Sequence, residues 1–158
     1  MKNFFFILIF LSLQLSAQMP NISRVFLNEG KPYIGSISEE RKKLTLKIDI
    51  SEQNRKNDQQ YYVSGFTVVD NTAMRFEGTI TITEYKDRKK RSIIYGIYDF
   101  AEENNGPHSG KLTGKFVYKL NWNKKTERPE NQDIKFNGNW ISYDKTMHYK
   151  TEFSNGKN

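Results

Sequence analysis

The sequence predicts an all-β fold: an antiparallel up-and-down β-barrel of about eight strands behind a cleaved signal peptide, with a β-sandwich as the alternative. Three observations carry this expectation. The pattern apolar, any, glycine, any, large apolar recurs as Phe76-Glu77-Gly78-Thr79-Ile80, Ile94-Tyr95-Gly96-Ile97-Tyr98, Leu112-Thr113-Gly114-Lys115-Phe116 and Phe136-Asn137-Gly138-Asn139-Trp140. Tyr33-Ile34-Gly35-Ser36-Ile37 is a fifth copy. Each glycine is in phase with the inward residues of a period-two strand, a costly choice unless the chain bends there or another backbone comes close. Secondly, short segments with one apolar face follow one another along the chain. Thirdly, no window shows helical periodicity, and the connections carry turn residues such as Asp70-Asn71, Asn104-Asn105-Gly106-Pro107, Arg128-Pro129 and Asp144-Lys145.

Taken in order, residues 1–17 read as a signal peptide: Lys2 supplies the positive charge, Phe4 to Leu13 the apolar run, and Ser16-Ala17-Gln18 a cleavage site near Ala17. That run falls short of the roughly 20 apolar residues a permanent span needs. Residues 18–31 are expected as an extended N-terminal segment, 32–154 as one barrel domain and 155–158 as a disordered tail. Eight strands are expected near 32–38, 43–51, 60–70, 74–86, 91–101, 110–122, 133–143 and 146–154. The sixth alternates most cleanly: Leu112, Gly114, Phe116, Tyr118, Leu120 and Trp122 on one face, Lys111, Thr113, Lys115, Lys119 and Asn121 on the other. The fourth sets Phe76, Gly78, Ile80 and Ile82 against Glu77, Thr79, Thr81 and Thr83. Only Tyr61 to Val69 is ambiguous in phase, being apolar on both faces. Short connections favour consecutive hairpins, and eight strands enclose an interior that is just filled or holds one small ligand.

Composition narrows the class further. The chain has no cysteine, so no disulfide framework supports it outside the cytoplasm. Its net charge of +7 favours attraction to anionic surfaces. A membrane-spanning barrel is excluded by the outward face, where Lys115, Lys119, Lys150 and Glu77 would sit in hydrocarbon at a few kcal/mol each. The expected location is therefore secreted or periplasmic.

Candidate sites are few. The strand Ser109-Gly110-Lys111-Leu112-Thr113-Gly114-Lys115-Phe116 resembles strands of avidin-like and lipocalin-like barrels of the calycin type, where Gly-x-Leu-x-Gly-x-aromatic is common. The resemblance implies a closed barrel with an internal site for a small molecule. From the residues themselves, inward glycines leave gaps that neighbouring aromatics either fill or leave open. Inward tyrosines need partners for their hydroxyls. The expected lining of a cavity for a small apolar ligand is Phe76, Tyr98, Phe116, Tyr118, Trp140 and Tyr149. A second candidate is the basic hairpin with Arg88, Lys89, Lys90 and Arg91, placed to engage anionic polymers, lipids or a protein partner. Nucleic acid is not expected, because export separates the chain from it and few stacking aromatics flank the cations. No cofactor is expected. The spacing of His108 and His148 is not that of a zinc site, and Glu102, Glu103 and Asn104 lack the spacing of a calcium loop. Ser109 beside His108 has no orienting acid, so no catalytic residue is assigned and the chain is read as a non-enzyme.

Overall fold

The computed structural model describes residues 20–88, 91–126 and 128–156. The expected signal peptide, and Lys89 and Lys90 of the basic hairpin, lie outside the described residues. Eight strands follow: β1 (Tyr33–Ile37), β2 (Lys42–Asn54), β3 (Asn57–Val69), β4 (Thr72–Lys86), β5 (Ser92–Glu102), β6 (Gly110–Asn123), β7 (Arg128–Ser142) and β8 (His148–Ser154). They run in sequence order around a closed barrel, each neighbouring pair antiparallel. β8 returns to β1 through pairs from Ile34↔Ser154 to Ile37↔Thr151. Closure sets aside the sandwich and leaves no free sheet edge. The β3–β4 connection is Asp70-Asn71, between the paired Val69 and Thr72, with φ of 48° and 65°. That is the two-residue hairpin turn whose twist matches its strands.

The interior is apolar and the exterior polar, the inverse of a lipid-facing barrel. Among the described residues no helix is long and apolar enough to cross a membrane. The ambiguous phase of β3 resolves with Tyr61, Val63 and Thr67 buried and Tyr62 exposed. Two expectations are corrected. Trp122 is 55% exposed, because β6 continues beyond Leu120, the last residue paired with β5, and carries the indole past the barrel rim. The N-terminal segment is not extended: it forms a helical turn, α1 (Ser23–Phe26), followed by a 3₁₀ turn (Asn28–Gly30). One turn is too short to show periodicity, but it places Phe26 inside the barrel end, fully buried and edge-on to Tyr61 and Phe116. The Tyr33 hydroxyl donates to the Phe26 carbonyl at 2.9 Å, and the Ile22 amide donates to the Tyr61 hydroxyl at 3.2 Å.

The inward glycines sit beside aromatics on neighbouring strands. Gly65 pairs with Phe76, Gly78 with Phe100, Gly96 with Phe116, Gly114 with Tyr98 and Gly35 with Phe153. A methyl on Gly96 would meet the Phe116 ring at 2.2 Å, so the ring occupies the space the side chain gives up. At Gly138 a methyl would also lie 2.0 Å from the Thr113 carbonyl oxygen, so there the backbones themselves come close. The result is a continuous aromatic core in which Phe136 stacks on Phe153 at 4.8 Å and Phe76 on Phe100 at 4.8 Å, with Tyr98 in contact with Phe100, Phe136 and Phe153. Such pairs contribute about 0.5–1.5 kcal/mol each beyond area burial.

Candidate functional site: a cavity at the open end

Because the strands alternate in direction, the barrel has two unlike ends. One is closed by α1 and carries the β2–β3, β4–β5 and β6–β7 connections. The other carries the β1–β2, β3–β4, β5–β6 and β7–β8 connections, and there the inward side chains become smaller. Ile37, Leu44, Thr67, Val69, Met74 and Leu112 surround a cavity of about 670 Å³, within the range of small-molecule sites. Trp140 and Tyr149 form one wall, stacked at 5.7 Å and 11°. The rim is exposed and includes Glu39, Glu40, Lys42, Asp70, His108 and His148.

Glu102, 7% exposed, lies at the inner end of this cavity. Its Oε1 accepts from the Thr67 hydroxyl at 2.7 Å. Its Oε2 accepts from the Trp140 indole N–H at 2.8 Å and the Gly110 amide at 3.1 Å. The Tyr143 hydroxyl donates to the Glu102 carbonyl. One carboxylate thus ties together β3, β5, β6 and β7 at the neck of the barrel. Three donors satisfy most of its acceptor capacity, but all three are neutral, and no lysine, arginine or histidine among the described residues pairs with it. The indole that walls the cavity is held by the same carboxylate, so the wall has a fixed orientation.

Of the residues expected to line a cavity, Trp140 and Tyr149 do so. Phe76, Tyr98, Phe116 and Tyr118 lie in the packed core beneath it, each at most 2% exposed. The Tyr118 hydroxyl donates to Gln132 Oε1 at 2.7 Å. The Tyr98 hydroxyl, buried beside Thr151, makes no hydrogen bond of good geometry. Burial pushes its pKa up to about 12, with the Thr151 hydroxyl acting in the opposite sense. Sequence reasoning placed Glu102 in a loop, although it continues the inward phase of Ser92, Ile94, Gly96, Tyr98 and Phe100. That parity is the signal that identifies it. Glu102 is buried and Glu103 exposed, so they do not act as a pair. Ser109 is committed to its own loop, donating to the Gly106 carbonyl at 2.6 Å and accepting from the Asn105 amide at 3.1 Å. Among the described residues no three carboxylate or imidazole groups converge as a metal site would require.

Arg88 and Arg91 of the basic hairpin are exposed at the opposite, closed end. Lys86 in the same run sits 5.0 Å over the Tyr95 ring and pairs with Glu84 at 3.1 Å, while Asp87 accepts from Ser92. Tyr85 and Trp122, 52% and 55% exposed, belong to this end too. No protein-family profile, curated protein or solved structure matches this chain.

Proposed function

We propose that this chain is an exported, non-catalytic binding protein that holds a small, mainly apolar molecule in the open end of its barrel. The observation that carries this reading is the cavity itself. It is walled by a stacked Trp140–Tyr149 pair, lined by six small or aliphatic side chains, and floored by a core too densely packed with rings to collapse into it. The likeness of the Gly110–Phe116 strand to calycin-type barrels accords with such a use, as does the leader-like N-terminus. The two indoles allow a direct test. Titration with a panel of fatty acids, alkylamines and aromatic alcohols is expected to change tryptophan emission in the wild type and in Trp122→Phe, and to lose that change in Trp140→Phe. A panel without any response, or a response carried by Trp122 alone, would remove the cavity from consideration.

The exposed Tyr85 and Trp122 beside the cationic β4–β5 hairpin favour a second reading, in which the closed end meets an anionic polymer, lipid headgroup or protein partner. It expects salt-sensitive binding to anionic vesicles that weakens when Arg88, Lys89, Lys90 and Arg91 are replaced by glutamine. Binding that is indifferent to those changes counts against it.

A further inference from the structure

The charge inside the cavity is opposite in sign to that of the molecule. The chain carries a net +7, yet its cavity is lined by Glu39, Glu40, Asp70 and Glu102 against the single Lys42. Lys42 is already paired with Asp70 at 2.8 Å and also faces Glu40, so among the described residues Glu39 and Glu102 have no salt-bridge partner. The innermost, Glu102, is the informative one. A buried carboxylate is normally paired with a cation or loses its charge, because removing it from water is costly. Here three neutral donors meet its two oxygens, and no lysine, arginine or histidine among the described residues pairs with it. A glutamine at this position would present one acceptor oxygen and one donor nitrogen in place of two acceptor oxygens, which makes it the substitution that tests the carboxylate. Thr67 occupies Oε1 alone, so this oxygen retains acceptor capacity on the cavity's inner end. Beside it stands the Trp140 ring, stacked with Tyr149, an electron-rich face of the kind that attracts cations.

We infer that the molecule taken by this cavity is an organic monocation with an apolar body: a protonated primary or secondary amine whose N–H groups reach Glu102 and whose body lies against Trp140, Tyr149, Leu44, Val69 and Leu112. This rests on the binding reading above and specifies its ligand. The exposed Glu39 and Glu40 at the mouth attract such a cation before it docks, whereas the positive exterior keeps it off the remaining surface.

Three matched probes test this: 4-phenylbutylamine, 4-phenylbutanol and 4-phenylbutyrate, which share one body and differ in charge. Binding is read by Trp140 emission in the Trp122→Phe background and by calorimetry. The amine is expected to bind about tenfold or more tightly than the alcohol, with the carboxylate weaker still. Glu102→Gln is expected to remove the amine's advantage. Because that substitution also disturbs the clasp at the barrel neck, Glu39→Gln/Glu40→Gln serves as an independent variant at exposed positions. It is expected to weaken the amine a few-fold at low salt, leave the alcohol unchanged, and lose its effect as ionic strength rises. Equal or tighter binding of the alcohol or carboxylate would overturn the cation inference while leaving the cavity reading intact. Silence from all three probes and from the broader panel would overturn both.

Discussion

Replacing Gly138 by alanine tests the idea that the recurrent glycines exist to let strands approach closely. A methyl at this position would sit 2.0 Å from the Thr113 carbonyl oxygen, 2.5 Å from the Tyr98 hydroxyl and 2.8 Å from the Gly114 Cα. Two of these three neighbours are backbone, on the strand directly paired with β7 through Gly114↔Gly138. Ordinary contact requires β6 and β7 to separate locally by more than an ångström, against a ladder spacing of about 4.8 Å. Such a separation strains or breaks the adjoining ladder hydrogen bonds at about 1 kcal/mol each and adds overpacking of about 1–3 kcal/mol. The expected loss is about 3 kcal/mol, a large part of the roughly 5–15 kcal/mol that holds a domain of this size. At a urea slope of about 2 kcal/mol per molar the unfolding midpoint falls by about 1.5 M. The companion variant Tyr98→Phe/Gly138→Ala separates the causes, since it removes the hydroxyl contact and leaves the carbonyl. It is expected to recover little. A midpoint for Gly138→Ala equal to that of the wild type would refute the close-approach argument, and full recovery in the double variant would transfer the cause to the tyrosine.

Phe26→Ala is expected to cost about 3–5 kcal/mol, the usual range for emptying a buried aromatic site, because Phe26 is fully enclosed and makes edge contacts with Tyr61 and Phe116. Urea denaturation followed by circular dichroism measures it, and a loss below about 1 kcal/mol would show that α1 rests on the barrel end without plugging it. The alkaline limb of stability should report Tyr98. Its pKa rises from the ordinary value of 10.0 to about 12. A raised tyrosine pKa means that the unfolded chain loses its proton first, so stability is intact below about pH 10 and declines between 10 and about 12. Tyr33 and Tyr118, both buried and both shifted upward, add to the same trend. Tyrosinate absorbance should therefore lag behind a free-tyrosine reference and catch up only on unfolding. A folded protein in which every tyrosine titrates near pH 10 would contradict this.

The architecture was legible because its determinants are local. Alternation in β6 and β4 places Leu112, Phe116, Phe76 and Ile80 inward, and the observed burial follows. The start of β7 was not legible, because Arg128-Pro129 has the chemistry of a turn. In the structure these residues pair with Asn123 and Trp122, across an irregularity where Asn131 takes φ of 50°. α1 escaped for another reason: what holds it is the barrel it plugs, a non-local cause with no trace in its own four residues. The site divides in the same way. Strand phase gives the inward placement of Trp140 and Tyr149, but phase cannot distinguish an inward ring at a packed level from one at an open level. That distinction depends on the side chains opposite. Phe116 faces Gly96 and fills its space, whereas Trp140 pairs with Leu112 and Tyr149 at the level where Leu44 and Thr67 leave room.

This difference between levels gives the molecule its division of labour. Toward the closed end the interior is a mesh of rings, with Phe26, Tyr33, Tyr61, Phe116, Phe136 and Phe153 in mutual contact. Close packing there gives the open end a rigid floor, and Glu102 fixes the indole wall through its bond to Trp140 Nε1. A cavity so supported would lose little freedom on taking up a molecule, so binding energy would not be spent on ordering its walls. The clasp also explains why an acid is kept at a position where an apolar residue would pack more cheaply. Donors from three strands converge on its two oxygens, which an apolar side chain would leave unpaired. Closing the neck of the barrel and placing a carboxyl group at the bottom of the cavity are thus the work of a single side chain. Replacing Glu102 by an apolar residue must therefore loosen β3, β6 and β7 from β5.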